Sequence, residues 1–269
     1  MQKKNNLMKI LQTSFSLTIQ RLSLAILTLA LVSCATIPDG QVRIKKDPWE
    51  ETNRAVLSFN DGLDDYLIRP VTKVYEYVLP SIVRTGIRNV FSNIGDVYNS
   101  VNSLLQGKPK DALDGVVRVV VNTTIGLGGI WDAASAAGVE KHSEDFGQTF
   151  GVWGIPDGPY MVLPLLGPST VRDTFGWFFD LQTDILIKRI DDIPLRNSIT
   201  GVRIVDQRAK YLGSSDLLES AAFDKYSFIR DAYLQRRRSK LYDGNPPMME
   251  DEDDEENVPD YSIEDKRIR

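Results

Sequence analysis

The sequence predicts a mainly α-helical body, and three observations carry that expectation. Apolar residues recur at spacings of three and four through most of residues 47–240. Prolines and capping residues punctuate those runs at helix-length intervals. One short stretch, residues 158–171, breaks the pattern with a charge-free run dense in glycine and proline. No internal repeat is apparent, so a solenoid or propeller is not expected.

The first helix starts at Asp47-Pro48-Trp49-Glu50, where Asp47 reads as the N-cap and Pro48 as the first helical residue. Trp49, Val56, Phe59, Leu63 and Leu67 follow at spacings of 7, 3, 4 and 4. This is an amphipathic helix of about 20 residues that Arg69-Pro70 should stop. Residues 71–79 make a short helix ending before Pro80, and residues 81–105 a long one. Residues 109–121 place Leu113, Val116, Val117, Val120 and Val121 on one side, although their β-branching also suits a strand. Residues 122–132 read as a glycine-rich turn region.

From Phe146 to Ser169 glycine, proline and aromatic residues dominate. The charge-free run 158–171 is too short to cross a bilayer, and Pro159, Pro164 and Pro168 prevent a helix. A buried or membrane-adjacent hairpin fits, with the segment 160–166 extended and Pro164 limiting any sheet. Residues 170–190 resume as a helix rich in Phe175, Trp177, Phe178, Phe179 and Leu181, interrupted by Asp173, Asp180 and Asp184. It is too apolar for an ordinary surface helix and too charged for a transmembrane one. Residues 195–212 and 214–240 read as two more helices. The last carries Leu218, Ala222, Tyr226, Ile229 and Tyr233 on one stripe and Arg236-Arg237-Arg238 at its C-terminus.

The N-terminus has the layout of an export signal: basic residues, the apolar run Leu22 to Val32, then small residues. Leu31-Val32-Ser33-Cys34 resembles the lipobox of bacterial lipoproteins. That resemblance implies removal of residues 1–33, a diacylglycerol thioether on the Cys34 sulfur and an acyl chain on its new amine. Several chains anchor stably where one is marginal. Residues 34–46 then form a tether, and Ala35 after Cys34 points to outer-membrane sorting. Cys34→Ser is expected to misroute the protein.

The net charge of −5 is unevenly spread. Residues 243–269 carry −8 and read as a disordered acidic tail, the leader carries +4, and the body between them is nearly neutral. A neutral body gives no electrostatic reason to expect nucleic acid. The single cysteine, Cys34, excludes an intramolecular disulfide or a CxxC zinc site.

Catalytic spacings are not found. Ser169 lacks the second glycine of GxSxG, Gly107-Lys108 lacks the rest of a P-loop, and Gly126-Leu127-Gly128-Gly129 is not GxGxxG. The lone histidine, His142, reads as a solvated loop residue, and Glu144-Asp145 as a helix cap. No metal site, catalytic residue or cofactor is expected beyond the lipid on Cys34, and the chain is not expected to be an enzyme. One constellation remains: Asn53, Asn60, Asn89, Asn93, Asn99, Asn102 and Asn122 all fall in amphipathic helices or at their ends. They read either as caps and inter-helix hydrogen bonds or as a polar lining.

Six ordered blocks carry a wider resemblance. They are "DPWEETNRAVLSFNDGLDDYLIRPVTKVY", "NSLLQGK", "NTTIGLGG", "EDFGQTFGVWG", "GPYMVLPLLGPSTVRD" and "AYLQRR", spanning Asp47 to Arg237. The chain resembles the MlaA (VacJ) family of outer-membrane lipoproteins. The resemblance implies one helical domain, residues 47–242, forming a ring in the periplasmic leaflet of the outer membrane around an amphipathic channel. It implies that phospholipids misplaced in the outer leaflet pass through to a periplasmic carrier of the MlaC type, maintaining lipid asymmetry, and that trimeric porins are partners. On this resemblance Gly158, Pro159, Tyr160, Met161, Val162, Leu163 and Pro164 form a channel gate. Asn53, Phe59 and Asn60 belong to the N-terminal helix that controls it. The competing expectation is a structural envelope lipoprotein that scaffolds porins or carriers without moving lipid.

Overall fold

The computed structural model describes residues 47–184, 189–221 and 223–247, without the side chains of 214–221. The leader, Cys34 and its tether, and the tail beyond residue 247 lie outside the described residues. The body is mainly helical, as expected, and among the described residues no helix is long and apolar enough to cross a membrane.

Helix α1 spans Glu50–Leu63 and passes into a π-helical turn, Asp64–Ile68, and then α2, Arg69–Val78. Two expectations are corrected here. Asp47 is not a cap; it is a buried carboxylate that accepts from the Asn53 amide and the Tyr226 hydroxyl, and Trp49 occupies the cap position. Pro70 does not stop the helix. It falls in the first turn of α2, where no N–H is required of it, and the Arg69 N–H reaches back five residues to the Asp64 carbonyl. The π turn thus absorbs the proline that an unbroken α-helix would reject.

Helices α3 (Ser81–Leu105) and α4 (Pro109–Thr124) pack as a helical hairpin. Gly115 sets their separation, since a Cβ there would lie 2.2 Å from the Ser100 hydroxyl. The residues of α4 are helical despite their valines. The apolar side, Leu113, Val116 and Val120, faces outward at 62%, 50% and 55% exposure. Its inner side is Ala112, Gly115, Arg118 and Asn122. Arg118 is fully enclosed, bonded to Asp96 (3.0 Å), to both oxygens of Asp132 and to Ser135. Asp132 caps the short helix α5 (Ala133–Ala136) and is held at a pKa of about 2. Burial opposes that shift, and the Ser135, Arg118 and Asn122 hydrogen bonds outweigh it.

Asp145 caps α6 (Phe146–Val152), as the Glu144-Asp145 reading anticipated. The hairpin follows: β1 (Tyr160–Leu163) pairs antiparallel with β2 (Gly167–Thr170), Tyr160 opposite Thr170 and Leu163 opposite Gly167. Pro164 sits in the connecting turn, where it removes no ladder bond. Thr170 caps α7, which runs only from Val171 to Thr183 rather than to residue 190. Helix α8 (Ile193–Ala221) continues through Gly213, correcting the expected break there. A helix-interior glycine costs about 1 kcal/mol and does not by itself end a long helix. The break comes before Asp224, which caps α9 (Lys225–Leu241).

The apolar core is small: Leu57 of α1, Tyr160 and Val162 of β1, and Tyr226 and Tyr233 of α9. It joins the first helix, the hairpin and the last helix. Arg54 with Asp224 and Lys225 with Asp61 tie α1 to α9 at its rim. Among the described residues, buried polar and charged side chains outnumber buried apolar ones, while large apolar side chains are exposed on nearly every helix. Soluble monomers rarely expose apolar patches beyond a few hundred Å². The surface is thus largely apolar on its helices and the interior largely hydrogen-bonded.

Candidate functional site

A cavity of about 1330 Å³ lies between α1, the hairpin tip, α7, α8 and α9. Small-molecule sites occupy roughly 300–1,000 Å³. One part of its wall is apolar, with Leu166, Trp177, Ile204 and Phe228; another is charged, with Asp64, Asp180, Arg208, Arg236 and Arg237.

Most of the wall charges neutralise each other. Arg208 grips Asp64 through two bonds of 2.8 and 2.7 Å, Lys225 meets Asp61 at 2.8 Å, and Arg69 meets Asp65 at 3.0 Å. Arg237 bridges Asp145 (2.6 and 3.0 Å) and Asp173 (2.8 Å). The Tyr233 hydroxyl donates to Asp173 at 2.7 Å. Burial acts to raise the Asp145 carboxyl, and the Arg237 bonds and the Gln148 N–H outweigh it, so its pKa is about 2. The same carboxylates hold Arg237 above its ordinary range against its own desolvation. Asp180 has no such cation. Burial first, and the charge of Asp145 second, push its pKa up to about 7.

The hairpin residues divide between core and cavity. Tyr160 and Val162 are buried in the core, and Met161 is half-buried with its sulfur accepting from the Thr174 hydroxyl. Gly158 is exposed at φ +69°, and the Pro159 carbonyl accepts from the Val171 N–H. Leu163 lines the cavity, Pro164 is exposed beside it, and the lining continues through Leu165, Leu166, Gly167, Pro168 and Ser169. Leu165 holds a left-handed φ of +68°, uncommon for a residue with a side chain.

Asn53 and Asn60, seven residues or about two turns apart on α1, both clamp the hairpin. Asn53 donates to the Tyr160 carbonyl and accepts from the Val162 N–H. Asn60 donates to the Leu163 carbonyl and accepts from the N–H of the strained Leu165. Asn60 also lines the cavity, whereas Phe59 faces outward at 58% exposure. The other asparagines bond within the protein too. Asn89 donates to the Ile130 carbonyl, Asn93 to Thr123 and Asn99 to Asp96. Asn102 donates to the Tyr98 carbonyl and Asn122 to Asp132. Asn60 lines the cavity, and all seven make hydrogen bonds within the body: Asn53 and Asn60 to the hairpin, Asn93 across to α4, and Asn99 and Asn102 to residues of their own helix.

His142 is not a solvated loop residue. Its two ring nitrogens lie 3.7 Å from Asp111 and 3.5 Å from Asp114, and these three side chains could together hold a cation. None of them lines the cavity. Residue spacing did not reveal the Arg237–Asp145–Asp173 bridge or Arg208–Asp64. The available signal was the row of aspartates interrupting the aromatic helix α7.

Fold and cavity define a class: a helical protein with many exposed apolar side chains, a polar interior and a cavity whose walls are part apolar and part charged. Residues 45–240 match the family described as MlaA lipoprotein. The chain is 33% identical over 220 residues to the "Intermembrane phospholipid transport system lipoprotein MlaA" of Haemophilus influenzae, covering 80% of this chain and 88% of that one. It is 34% identical over 218 residues to the protein of the same name from Escherichia coli K12, covering 80% and 85%. A solved structure from work titled "Structural basis for maintenance of bacterial outer membrane lipid asymmetry" superposes with a TM-score of 0.64. It shares 32% identity and covers 75% of this chain and all of that one. The chain belongs to the MlaA lipoprotein family.

Proposed function

We propose that this protein is an outer-membrane lipoprotein, anchored through Cys34, that moves mislocalised phospholipid out of the outer leaflet for retrograde transport. Its helices form a ring lying in the periplasmic leaflet, and the cavity is the phospholipid path. The lipid is delivered to a periplasmic carrier of the MlaC type, with trimeric porins as neighbours. The names of the relatives support this reading. The observation that carries it is the inside-out body: large apolar residues exposed on helices none of which, among the described residues, can span a bilayer, beside a cavity with charged and apolar walls.

The physical task is to spare a charged headgroup the hydrocarbon core, where burying an unpaired charge is very costly. Paired wall charges such as Arg208–Asp64 offer polar surface without a strong net field. The Leu166, Trp177 and Phe228 side of the wall accommodates acyl chain. The hairpin tip, held by Asn60, is the element placed to narrow or widen the cavity. No step requires covalent chemistry, so the protein acts as a conduit and the downstream carrier sets direction.

The test is photo-crosslinking in cells. A probe at Leu166 should capture phospholipid, and one at the core residue Val162 should not. Bulky substitutions at Leu163 or Leu166 should expose phospholipid on the cell surface while the protein stays folded and anchored. A scaffold that moves no lipid would show no lipid adduct and would tolerate those substitutions.

A further inference from the structure

We propose that Asp180 and Arg236 recognise the headgroup of a zwitterionic amino-phospholipid, Arg236 taking the phosphate and Asp180 the ammonium. This rests on the cavity being the lipid path. Most charges of the cavity wall are already satisfied. Arg69, Arg208, Lys225 and Arg237 each meet a carboxylate, and Asp61, Asp64, Asp65, Asp145 and Asp173 each meet a cation. Of the charged residues lining the cavity, Arg236 and Asp180 remain without an ion pair.

Both line the cavity, Asp180 from α7 and Arg236 from α9, and the two helices meet where Arg237 bonds Asp173. Arg237 is near enough to Asp180 to favour its ionised form. Arg236 precedes Arg237 on α9, about 1.5 Å along the axis and rotated by about 100°. Arg237 turns inward to Asp145 and Asp173, whereas Arg236 is exposed. Its guanidinium is a planar fork matched to phosphate oxygens.

Asp180 accepts one hydrogen bond, 3.3 Å from the Phe146 N–H, which leaves acceptor capacity free. The charged groups around it are Asp145 of α6, which disfavours its ionisation, and Arg237 of α9, which is engaged elsewhere. A carboxyl kept near pH 7 in this way lacks a cation, and a primary ammonium with three N–H donors supplies one. An ethanolamine headgroup satisfies both leftover groups at once. A glycerol headgroup leaves Asp180 unsatisfied, and a choline headgroup brings charge without N–H donors.

The experiment uses the mature protein in detergent and three probes: short-chain phosphatidylethanolamine, phosphatidylglycerol and phosphatidylcholine. Binding is read by native mass spectrometry. Wild-type protein should favour phosphatidylethanolamine about tenfold, the scale of one charge-assisted bond. Asp180→Asn should remove that preference and leave phosphatidylglycerol binding intact. Arg236→Gln, on an exposed residue that the fold does not need, should weaken all three lipids about tenfold. Equal binding of the three lipids by wild type overturns the headgroup pair. So does an unchanged preference in Asp180→Asn, or unchanged affinity in Arg236→Gln. Failure of wild type to bind any phospholipid instead overturns the lipid path itself.

Discussion

Replacing Asn53 by alanine isolates the contact that fixes the hairpin to α1. The wild-type amide makes three buried bonds: to Asp47 at 2.9 Å, to the Tyr160 carbonyl at 3.3 Å and from the Val162 N–H at 2.9 Å. Alanine removes all three and returns no partner. A neutral bond contributes about 0.5–1.5 kcal/mol net, one to a charged group about 1.5–3, and orphaned buried groups add their desolvation cost. The Asp47 bond is the charged one, and Asp47 keeps Tyr226 and Arg230, which limits its share. The sum is about 3–5 kcal/mol, a large part of the roughly 5–15 kcal/mol that holds a domain folded. Urea unfolding in detergent micelles, followed by tryptophan fluorescence, measures it. Asn60→Ala is the internal control: two bonds at a half-exposed site, worth about 1–2 kcal/mol. A loss below about 1 kcal/mol for Asn53→Ala, or equal losses at both sites, would refute the clamp.

Three further outcomes are expected. Gly176→Ala should destabilise by about 1–3 kcal/mol or more in the same unfolding assay, because its Cβ would sit 2.3 Å from the Gly147 backbone nitrogen where α7 crosses α6. Arg237→Met should cost about 3–5 kcal/mol, since it strips the buried Asp145 of its cation, although Asp173 keeps Arg172 and Tyr233; a loss under about 1 kcal/mol would show the bridge to be dispensable. Stability should also vary with pH. The folded pKa of Asp180 is about 7, above its ordinary 3.8, so its contribution is fully present below about pH 4 and is lost as pH rises through 7. Asp145, at about 2, contributes above its ordinary 3.8 and loses that contribution as pH falls through about 2. Asp180→Asn should therefore flatten the decline between pH 4 and 7; an unchanged decline would assign it to another group.

The helices were legible because their signal is local. Spacings of three and four marked α1, α3 and α9, and the charge-free run 158–171 with its prolines marked the hairpin. Boundaries were less legible where two local effects compete. Pro70 ends an ideal α-helix, yet a π turn accommodates it, and Gly213 weakens α8 without ending it. The hairpin's relation to α1 came through the family resemblance, and the structure supplies its atoms: Asn53 and Asn60 against the carbonyls and N–H groups of residues 160–165.

The sequence by itself determined that the body is helical, that one hairpin interrupts it and that its family is MlaA. Only the tertiary structure decided which side of each helix is inside. The valine side of α4 has the same periodicity whether it meets a core or a lipid, because a repeat of 3.6 residues defines a face and not the medium it meets. Likewise the sequence contained Arg237, Asp145 and Asp173, separated by as many as 92 residues, but not their bridge. Charge pairing depends on through-space distance, and the fold alone leaves Asp180 and Arg236 unpaired at the cavity wall.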